Sequence, residues 1–456
     1  MCTALLSLGT NARGVTLATS GSASVALGAG ASMSGVPTLS PQEQRVLGSI
    51  DASWALDRLA ELIGIPSITG SAAESEAQHR LAGYFDPLGL DTDLWAIDLA
   101  EAKAHPDFPG LEAPRTEAWG LVGTVGGADG PTLILNGHID VVPPGDASLW
   151  YGDPFCPRID GDVVHGRGAC DMKAGVVAAL TAVKALQDSG LRLAGRLALQ
   201  SVVGEEDGGL GAWSTLRRGH KGDAAVILEP TSGTVHTANA GALTFGIEVA
   251  GRAAHGATRE LGVSAFESFW PIHLALRELE TERNADPDQR LREHELPYAL
   301  SIGTIQAGNW ASSVPDRLVA QGRYGVAIGE SSAAARKVFE DRVAEACAND
   351  PWLADHPATV SWSGGQFGSG TLPSGHPLLT WVQTAAADIR GTTPPERAAA
   401  YGSDLRLYTA VGIPTVHFGP GDVRLAHSVR EQVSISDLLS TARAVALLIV
   451  RTCGVR

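Results

Sequence analysis

The sequence predicts an α/β protein with a mainly parallel sheet, interrupted by a smaller α+β segment. Helical stretches alternate with nearly continuous apolar strands through residues 41–240 and again through residues 361–456. This alternation is typical of a parallel sheet that is covered by helices on both faces. Between residues 241 and 360 the strands alternate only partly, and an Asp/Arg/Glu-rich loop follows a long helix. We therefore predict that residues 241–360 form an inserted domain.

The overall composition excludes several classes of partner. The chain has 456 residues, with 34 Lys and Arg against 50 Asp and Glu, a net charge of −16. This acidity argues against nucleic acid or an anionic membrane as a partner, because both bind basic surfaces. No apolar run reaches the roughly 20 residues of a membrane span. Five scattered cysteines without a CxxC pair argue against a disulfide framework or a thiolate zinc site, so we expect a cytoplasmic protein.

Residues 1–40 differ from the rest of the chain. They are mostly Ala, Ser, Gly, Thr and Leu, and Arg13 is their only charged residue. This composition predicts a disordered tail. An export signal is the alternative, although its basic residue comes late and Gly and Ser interrupt each apolar stretch.

The elements of the α/β part follow from periodicity and from stop signals. A helical run opens at Ser40-Pro41 and reaches Ile63, as one broad helix or two short ones. Two further helices are predicted over residues 72–85 and 172–189, before Pro87 and Gly190. Apolar strands are predicted over Trp119–Val125, Thr132–Asn136, Arg196–Val203, Ala224–Leu228 and Thr415–Phe418.

The inserted segment has its own pattern of strands and helices. Its predicted strands are Thr244–Val249, Leu300–Ile305 and Arg317–Ala327. Its predicted helices are Val263–Glu282, which Pro271 interrupts, and Ala333–Ala348. These elements suffice for a small α+β domain.

Histidines and carboxylates follow the predicted strands at their C-terminal ends, where open parallel sheets place their sites. Each has an ordinary explanation when it is taken alone, such as a turn histidine, a helix cap or a solvated loop carboxylate. Together they are more specific, because five candidate ligands exceed what one catalytic zinc uses. The candidates are His138, Asp171, one member of the run Glu205-Glu206-Asp207, Glu229 and His427.

Two histidines with several carboxylates and no cysteine suit zinc, manganese or cobalt. The natural count is two divalent ions that share one carboxylate. Asp140, two residues after His138, is placed to accept a hydrogen bond from the far ring nitrogen of that histidine.

With these motifs the sequence resembles the M20 metallopeptidase family of co-catalytic zinc amidohydrolases, from about residue 50 to residue 450. It is most similar to the acetylornithine deacetylase and succinyl-diaminopimelate desuccinylase branch. The motifs that carry the resemblance are Ala104–Phe108, Asn136–Pro143, Gly166–Lys173, Gly251–His255 and Trp310–Asp316. The resemblance implies a zinc-exopeptidase-like catalytic domain with an inserted lid and dimerisation domain, and it implies a homodimer.

The resemblance also implies a role for each ligand. His138 and Glu229 would hold one ion, Glu206 and His427 the other, and Asp171 would bridge the two. Zinc is the expected metal, with cobalt or manganese as alternatives.

The remaining catalytic roles come from the same resemblance. Glu205 would be the general base that acts on a metal-bridging water, and Asp140 would orient His138. The peptide bond between Asp171 and the next residue would be cis. His255 would reach the partner subunit's active site and stabilise the oxyanion; the alternative is an ordinary loop histidine on a lid.

The substrate contacts are less fully specified. Arg323 is a candidate anchor for a substrate carboxylate, or else a surface arginine. Many family members carry Asn-x-Val-Pro where this chain has Ser312-Ser313-Val314-Pro315, so Ser312 or Asn309 would take over that contact. Asp404 and Arg406 would shape the pocket floor.

Three functions remain open from the sequence. The leading hypothesis is a deacylase that removes a small acyl group from an N-acyl amino acid or a related amine. A dipeptidase or carboxypeptidase on the same site is the second. A non-catalytic binding protein is the third, and it is disfavoured because every ligand position and Glu205 are filled.

Overall fold

The structure, a computed structural model, describes residues 39–456. The disordered tail predicted for residues 1–40 therefore lies outside the described residues, apart from its last two positions. Helices α1 to α11 of the described part are Pro41–Gly48, Ala52–Ile63, Ala72–Phe85, Leu99–Ala104, Lys173–Asp188, Leu210–Arg217, Ala265–Arg283, Ser332–Ala348, Leu378–Arg390, Leu405–Ala410 and Ile435–Cys453. Strands β1 to β16 are Asp91–Ala96, Trp119–Gly126, Thr132–His138, Arg158–Asp160, Val163–His165, Arg196–Val202, Ala224–Pro230, Val235–Asn239, Gly241–Ala250, Leu300–Ala307, Arg317–Val326, Thr359–Phe367, Gly370–Thr371, Glu396–Ala399, Thr415–Gly419 and Gln432–Ser434.

A nine-stranded sheet organises the α/β part, in the order β1-β2-β6-β3-β7-β15-β8-β13, with β14 paired to β8. Its centre, β6-β3-β7-β15, is parallel. The α/β class is confirmed, but the sheet is mixed, because β2 joins one side of this centre and β8 the other in antiparallel fashion. The central strands are almost wholly buried, as parallel strands require, and β1, which pairs with β2 at one antiparallel edge, is largely exposed.

A second, four-stranded antiparallel sheet has the order β10-β11-β9-β12. Helices α7 and α8 pack on it around an apolar core that includes Phe245, Tyr324 and Phe339. Pro271 lies inside α7 and does not end that helix. Strand β12 crosses residue 360, the position where we predicted the insert to end.

Two close contacts hold the start of α5 near the carboxyl edge of the large sheet. Gly175 of α5 lies so near β7 that a Cβ atom there would stand 2.1 Å from the carbonyl oxygen of Leu228. The buried Lys173 donates hydrogen bonds to the carbonyl oxygens of Leu62 (2.8 Å) and Ile65 (2.9 Å). The start of α5 is thereby held at the ends of the central strands. None of the helices of residues 39–456 is long and apolar enough to cross a membrane.

Candidate metal centre

The predicted ligands meet at the carboxyl edge of the large sheet because their strands are neighbours. His138 is the last residue of β3, and Glu229 lies near the end of β7. Glu206 follows β6, on the other side of β3. Asp171 comes just before α5, and His427 lies in the loop after β15.

Interatomic distances place Asp171 between the two histidines. Its Oδ1 lies 3.0 Å from Nε2 of His138, and its Oδ2 lies 3.3 Å from Nε2 of His427. Nε2 of His138 is also 3.7 Å from Oε1 of Glu229, and Nε2 of His427 is 3.0 Å from Oε2 of Glu206. Two ligand atoms on one tetrahedral zinc lie about 3.3 Å apart, given bonds of about 2 Å. These separations therefore suit donors around two ions, with Asp171 offering one oxygen to each.

Two overlapping sets of donor atoms could each hold an ion. One set is His138, Glu205 and Glu229; the other is His138, Asp171 and Glu206; within each set the donor atoms all lie within 4.8 Å of one another. The presence of Glu205 in the first set puts the predicted base beside the predicted ligands. The Asp171–Met172 peptide bond is cis, as expected.

The electrostatics of this cluster indicate a surplus of negative charge. Burial lowers the pKa of His427, but hydrogen bonds to Asp171 and Glu206 outweigh it and raise that pKa to about 11. Burial also opposes the charged form of His138, yet the Asp171 hydrogen bond and the Glu229 charge raise its pKa well above the ordinary value. Both imidazoles are thus stabilised as cations by the carboxylates around them. A divalent cation would supply that positive charge instead, with both imidazoles neutral as ligands.

Burial acts on the carboxylates in the opposite sense. For Glu205 it raises the pKa well above the usual range, and the nearby charge of Glu229 adds to the rise. For Asp171 burial raises the pKa, but the hydrogen bonds with His138 and His427 reverse the effect and leave that pKa below its ordinary value. These surroundings favour a proton on Glu205 and the charged form of Asp171.

Asp140 positions its neighbours differently from the prediction. Nδ1 of His138 donates to the backbone carbonyl of Asp140 at 2.9 Å, whereas the nearer carboxylate oxygen is 3.7 Å away. The carboxylate is already engaged by the backbone N–H groups of Glu205 and Glu206, each at 3.3 Å, and by the hydroxyl of Thr69 at 2.9 Å. Asp140 thus orients the histidine through its main chain and the glutamate pair through its side chain.

Two groups of buried charges that sequence reasoning missed support the centre. Glu431 accepts hydrogen bonds from the backbone N–H groups of Cys170 and Asp171, both at 3.0 Å, and pairs with Arg167 at 2.5 Å. It lies more than 250 residues from those partners along the chain, so no local pattern could have identified it.

The second group surrounds Arg115, whose side chain is fully buried. It pairs with Glu74 and with Asp207, each at 3.0 Å. Glu74 also accepts from the backbone N–H of Gly204 at 2.9 Å. The loop that carries Glu205 is therefore held at both ends by one network.

A cavity of about 1100 Å³ opens over Glu205, Glu206 and His427. Arg323 lines it, although its Nη1 and Nη2 groups donate only to the carbonyl oxygens of Ala299 (3.4 Å) and Ala400 (3.2 Å). Among the described residues Arg323 has no carboxylate partner.

The two residues that we predicted would shape the pocket floor, Asp404 and Arg406, are buried, and neither of them lines this cavity. Arg406 donates to the carbonyl oxygen of Gly208 at 2.7 Å, close to the loop of Glu205. Asp404 is buried, and neither of its carboxylate oxygens has a hydrogen-bond partner among residues 39–456.

Three predicted residues lie apart from the cluster. His255, Asn309 and Ser312 are exposed, and in the described chain none of them contacts the ligands. Nδ1 of His255 accepts from the backbone N–H of Ala257 at 3.0 Å, and Gly256 donates to the carbonyl oxygen of Ser312 at 2.7 Å. The structure thus pairs the segments of His255 and Ser312 with each other and not with the predicted ligands of their own chain.

Comparison with known proteins agrees with this geometry. The sequence profile described as Peptidase family M20/M25/M40 matches residues 134–451. The chain is 28% identical to the N-formyl-4-amino-5-aminomethyl-2-methylpyrimidine deformylase of Bacillus subtilis (strain 168) over 402 residues, covering 83% of this chain and 89% of the deformylase. It is 29% identical to the succinyl-diaminopimelate desuccinylase of Alkalilimnicola ehrlichii over 402 residues, 86% and 97% of the two chains. Human carnosine dipeptidase 1 has a similar fold, with a TM-score of 0.72 at 16% identity over 91% of this chain and all of that one.

Proposed function

This chain belongs to peptidase family M20/M25/M40, and from that premise we propose that it is a metal-dependent deacylase. Its substrate would be an N-acyl amino acid or a related N-acyl amine. The observation that carries the proposal is the buried cluster in which Asp171 faces His138 through one oxygen and His427 through the other. Such an arrangement suits a pair of divalent ions.

The donor set defines which residues would hold the metal. His138 and Glu229 would bind one ion, Glu206 and His427 the second, and Asp171 both. Oxygen and imidazole donors without thiolate suit zinc, and also cobalt or manganese. When bound, such ions lower the pKa of a coordinated water and polarise an amide carbonyl.

Glu205 is the residue we assign to proton transfer. It lies beside His138 and Glu229, and burial raises its pKa. A carboxylate with a raised pKa accepts a proton from the attacking water more readily and can then deliver it to the leaving amine. The backbone N–H of Glu205 is fixed by the carboxylate of Asp140, which limits the movement of the base.

Arg323 supports a substrate with a free carboxylate on its amine half. The guanidinium lines the cavity and has no carboxylate partner in the described chain, so a substrate anion could bind it without displacing an ion pair. The overall charge of −16 repels anions at long range, so such a local cation would have to do the binding.

The two sequence relatives named above support deacylation, because their names describe the removal of formyl and succinyl groups from amines. A dipeptidase or carboxypeptidase on the same site is the second candidate. The cavity volume of about 1100 Å³ leaves room for a dipeptide, since small-molecule sites measure about 300–1,000 Å³.

A substrate panel tests this proposal. Zinc-loaded protein should hydrolyse at least one of the N-formyl, N-acetyl and N-succinyl amino acids faster than dipeptides, and a chelator should abolish the activity. Absence of bound metal from an active preparation would refute metal dependence.

A variant of Arg323 tests the substrate carboxylate. For the substrate found, Arg323→Met should raise KM about 10- to 150-fold, the equivalent of one charge-assisted hydrogen bond. Hydrolysis of the matched amide that lacks the carboxylate should be scarcely affected by the substitution. Equal losses on both substrates would refute the role of Arg323.

We also propose a homodimer that forms through the second sheet. Phe266, Trp270 and Leu274 recur every four residues along α7 and are each about half exposed. Strand β10, at the free edge of that sheet, exposes Ile305. A row of large exposed apolar side chains on one helix face is typical of a protein interface.

A further inference from the structure

Tyr401 carries a hydroxyl group that no described residue satisfies. Its side chain lines the same cavity as Glu205, Glu206 and His427. The hydroxyl oxygen is buried and has no hydrogen-bond partner among residues 39–456. Buried hydroxyl groups in native proteins nearly always have a partner, so this one is placed to receive a partner that enters the cavity.

The surroundings of Tyr401 hold that hydroxyl in a fixed position. Its ring lies parallel to the ring of His417, with 3° between the planes and 6.4 Å between the centroids. Nε2 of His417 in turn forms a hydrogen bond with the hydroxyl of Ser403 at 2.9 Å. The next residue, Gly402, packs closely against Phe367. A Cβ atom at position 402 would stand 2.4 Å from the side chain of Phe367. A donor fixed in this way needs no reorganisation when charge develops nearby.

The surroundings of Tyr401 favour the protonated hydroxyl, which can donate a hydrogen bond. Burial raises the pKa of its phenol well above the ordinary value, and the negative charges of Glu229 and Asp171 raise it further. The acceptor of its hydrogen bond would be an oxygen atom of the substrate.

We propose that Tyr401 is a further catalytic residue, whose O–H donates a hydrogen bond to the acyl carbonyl oxygen of the bound amide. This inference rests on the proposed deacylase function. The bond strengthens as that oxygen gains negative charge during attack by water, so it stabilises the transition state more than the substrate. His255, the donor that the family resemblance implies, makes no contact with the cluster of its own chain. Tyr401 is thus a donor that each chain carries beside its own ligands.

The test is Tyr401→Phe in the zinc-loaded protein. Loss of one preorganised oxyanion donor should lower kcat about 10²- to 10³-fold and leave KM within about threefold. An alkylboronic acid, which becomes a tetrahedral anion on addition of hydroxide, should bind more weakly by a similar factor. Metal content should not change, because Tyr401 is not proposed as a ligand.

Tyr324→Phe provides the matched control. Tyr324 also has a buried hydroxyl without a partner in the described chain, but it lies in the core of the second sheet. This variant should keep the kinetics and boronate affinity of the wild type.

Two results would overturn the role of Tyr401. One is equal boronate affinity for wild type and Tyr401→Phe, including no binding to either. The other is loss of metal from the variant, which would make Tyr401 a residue that orients a ligand. Failure of the wild type to hydrolyse any acylated amine is a separate outcome that refutes the proposed function, because boronate binding does not require turnover.

Discussion

Glu205 and Glu206 are adjacent in sequence but differ in their surroundings. The side chain of Glu206 meets His427 at 3.0 Å, whereas Glu205 belongs to the donor set around Glu229. The carboxylate of Asp140 holds the backbone of both. Two adjacent residues thus supply a candidate ligand, Glu206, and a candidate base, Glu205. Substituting each residue separately can distinguish the two roles.

Glu205→Gln should retain both metal ions and lose at least about 10²-fold in kcat, because the amide can no longer accept the proton of water. Metal analysis together with steady-state kinetics checks both parts. Glu206→Gln is the matched variant, and it should lose metal. Normal turnover by Glu205→Gln would show that another group is the base.

At the residue scale, the sequence was informative where motifs follow strands. The five predicted ligands come together because β6, β3, β7 and β15 are neighbours in the sheet, which the strand-end positions already indicated. Tyr401, Arg115 and Glu431 were not found, since they reach the centre only through tertiary contacts. No periodicity or spacing in the sequence links them to it.

At the scale of elements, the long apolar strands and helices were predictable, but some element boundaries and the short strands were not. The helix over residues 72–85 matches α3 at both ends. The first helical run is two helices, because the side chain of Asp51 accepts a hydrogen bond from the backbone N–H of Trp54 at 3.0 Å and begins α2 there. Short strands such as β13, with only two residues, were missed because their pairing depends on a neighbour that is distant in sequence.

The network around Arg115 makes a prediction about the loop after β6. Arg115→Met would leave the buried carboxylates of Glu74 and Asp207 without their cation, which should lower the free energy of unfolding by about 3–5 kcal/mol. Urea denaturation measures this change. The control is Arg317→Met, since Arg317 and Glu248 form an exposed pair that solvent screens, and its loss should change the free energy of unfolding far less. Equal losses in the two variants would argue against a special role for the network.

At the scale of the whole molecule, the prediction concerns assembly. Trp270→Glu places a charge on the exposed apolar face of α7 and should convert a dimer to monomers in analytical ultracentrifugation. Trp381→Glu is the control, because Trp381 is also exposed but lies on α9, outside the second sheet. A monomeric wild-type protein would contradict the proposed dimer.

In the proposed dimer, His255 would reach the active site of the partner subunit and not that of its own chain. Mixing the inactive variants His255→Ala and Glu205→Gln should restore some activity once subunits exchange. One site of a mixed dimer would then combine an intact Glu205 with the partner's intact His255. Verified mixed dimers without recovery would place His255 outside the chemistry.

The spread of the ligands along the chain has a consequence for biosynthesis. The candidate ligand His138 precedes the candidate ligand His427 by 289 residues in the sequence. During translation the carboxylates of the central strands are therefore made long before the last candidate ligand. A two-ion centre of the proposed kind could be completed only after His427 has been made and β15 with its following loop has joined the sheet, so metal acquisition would report the folding of that part of the chain.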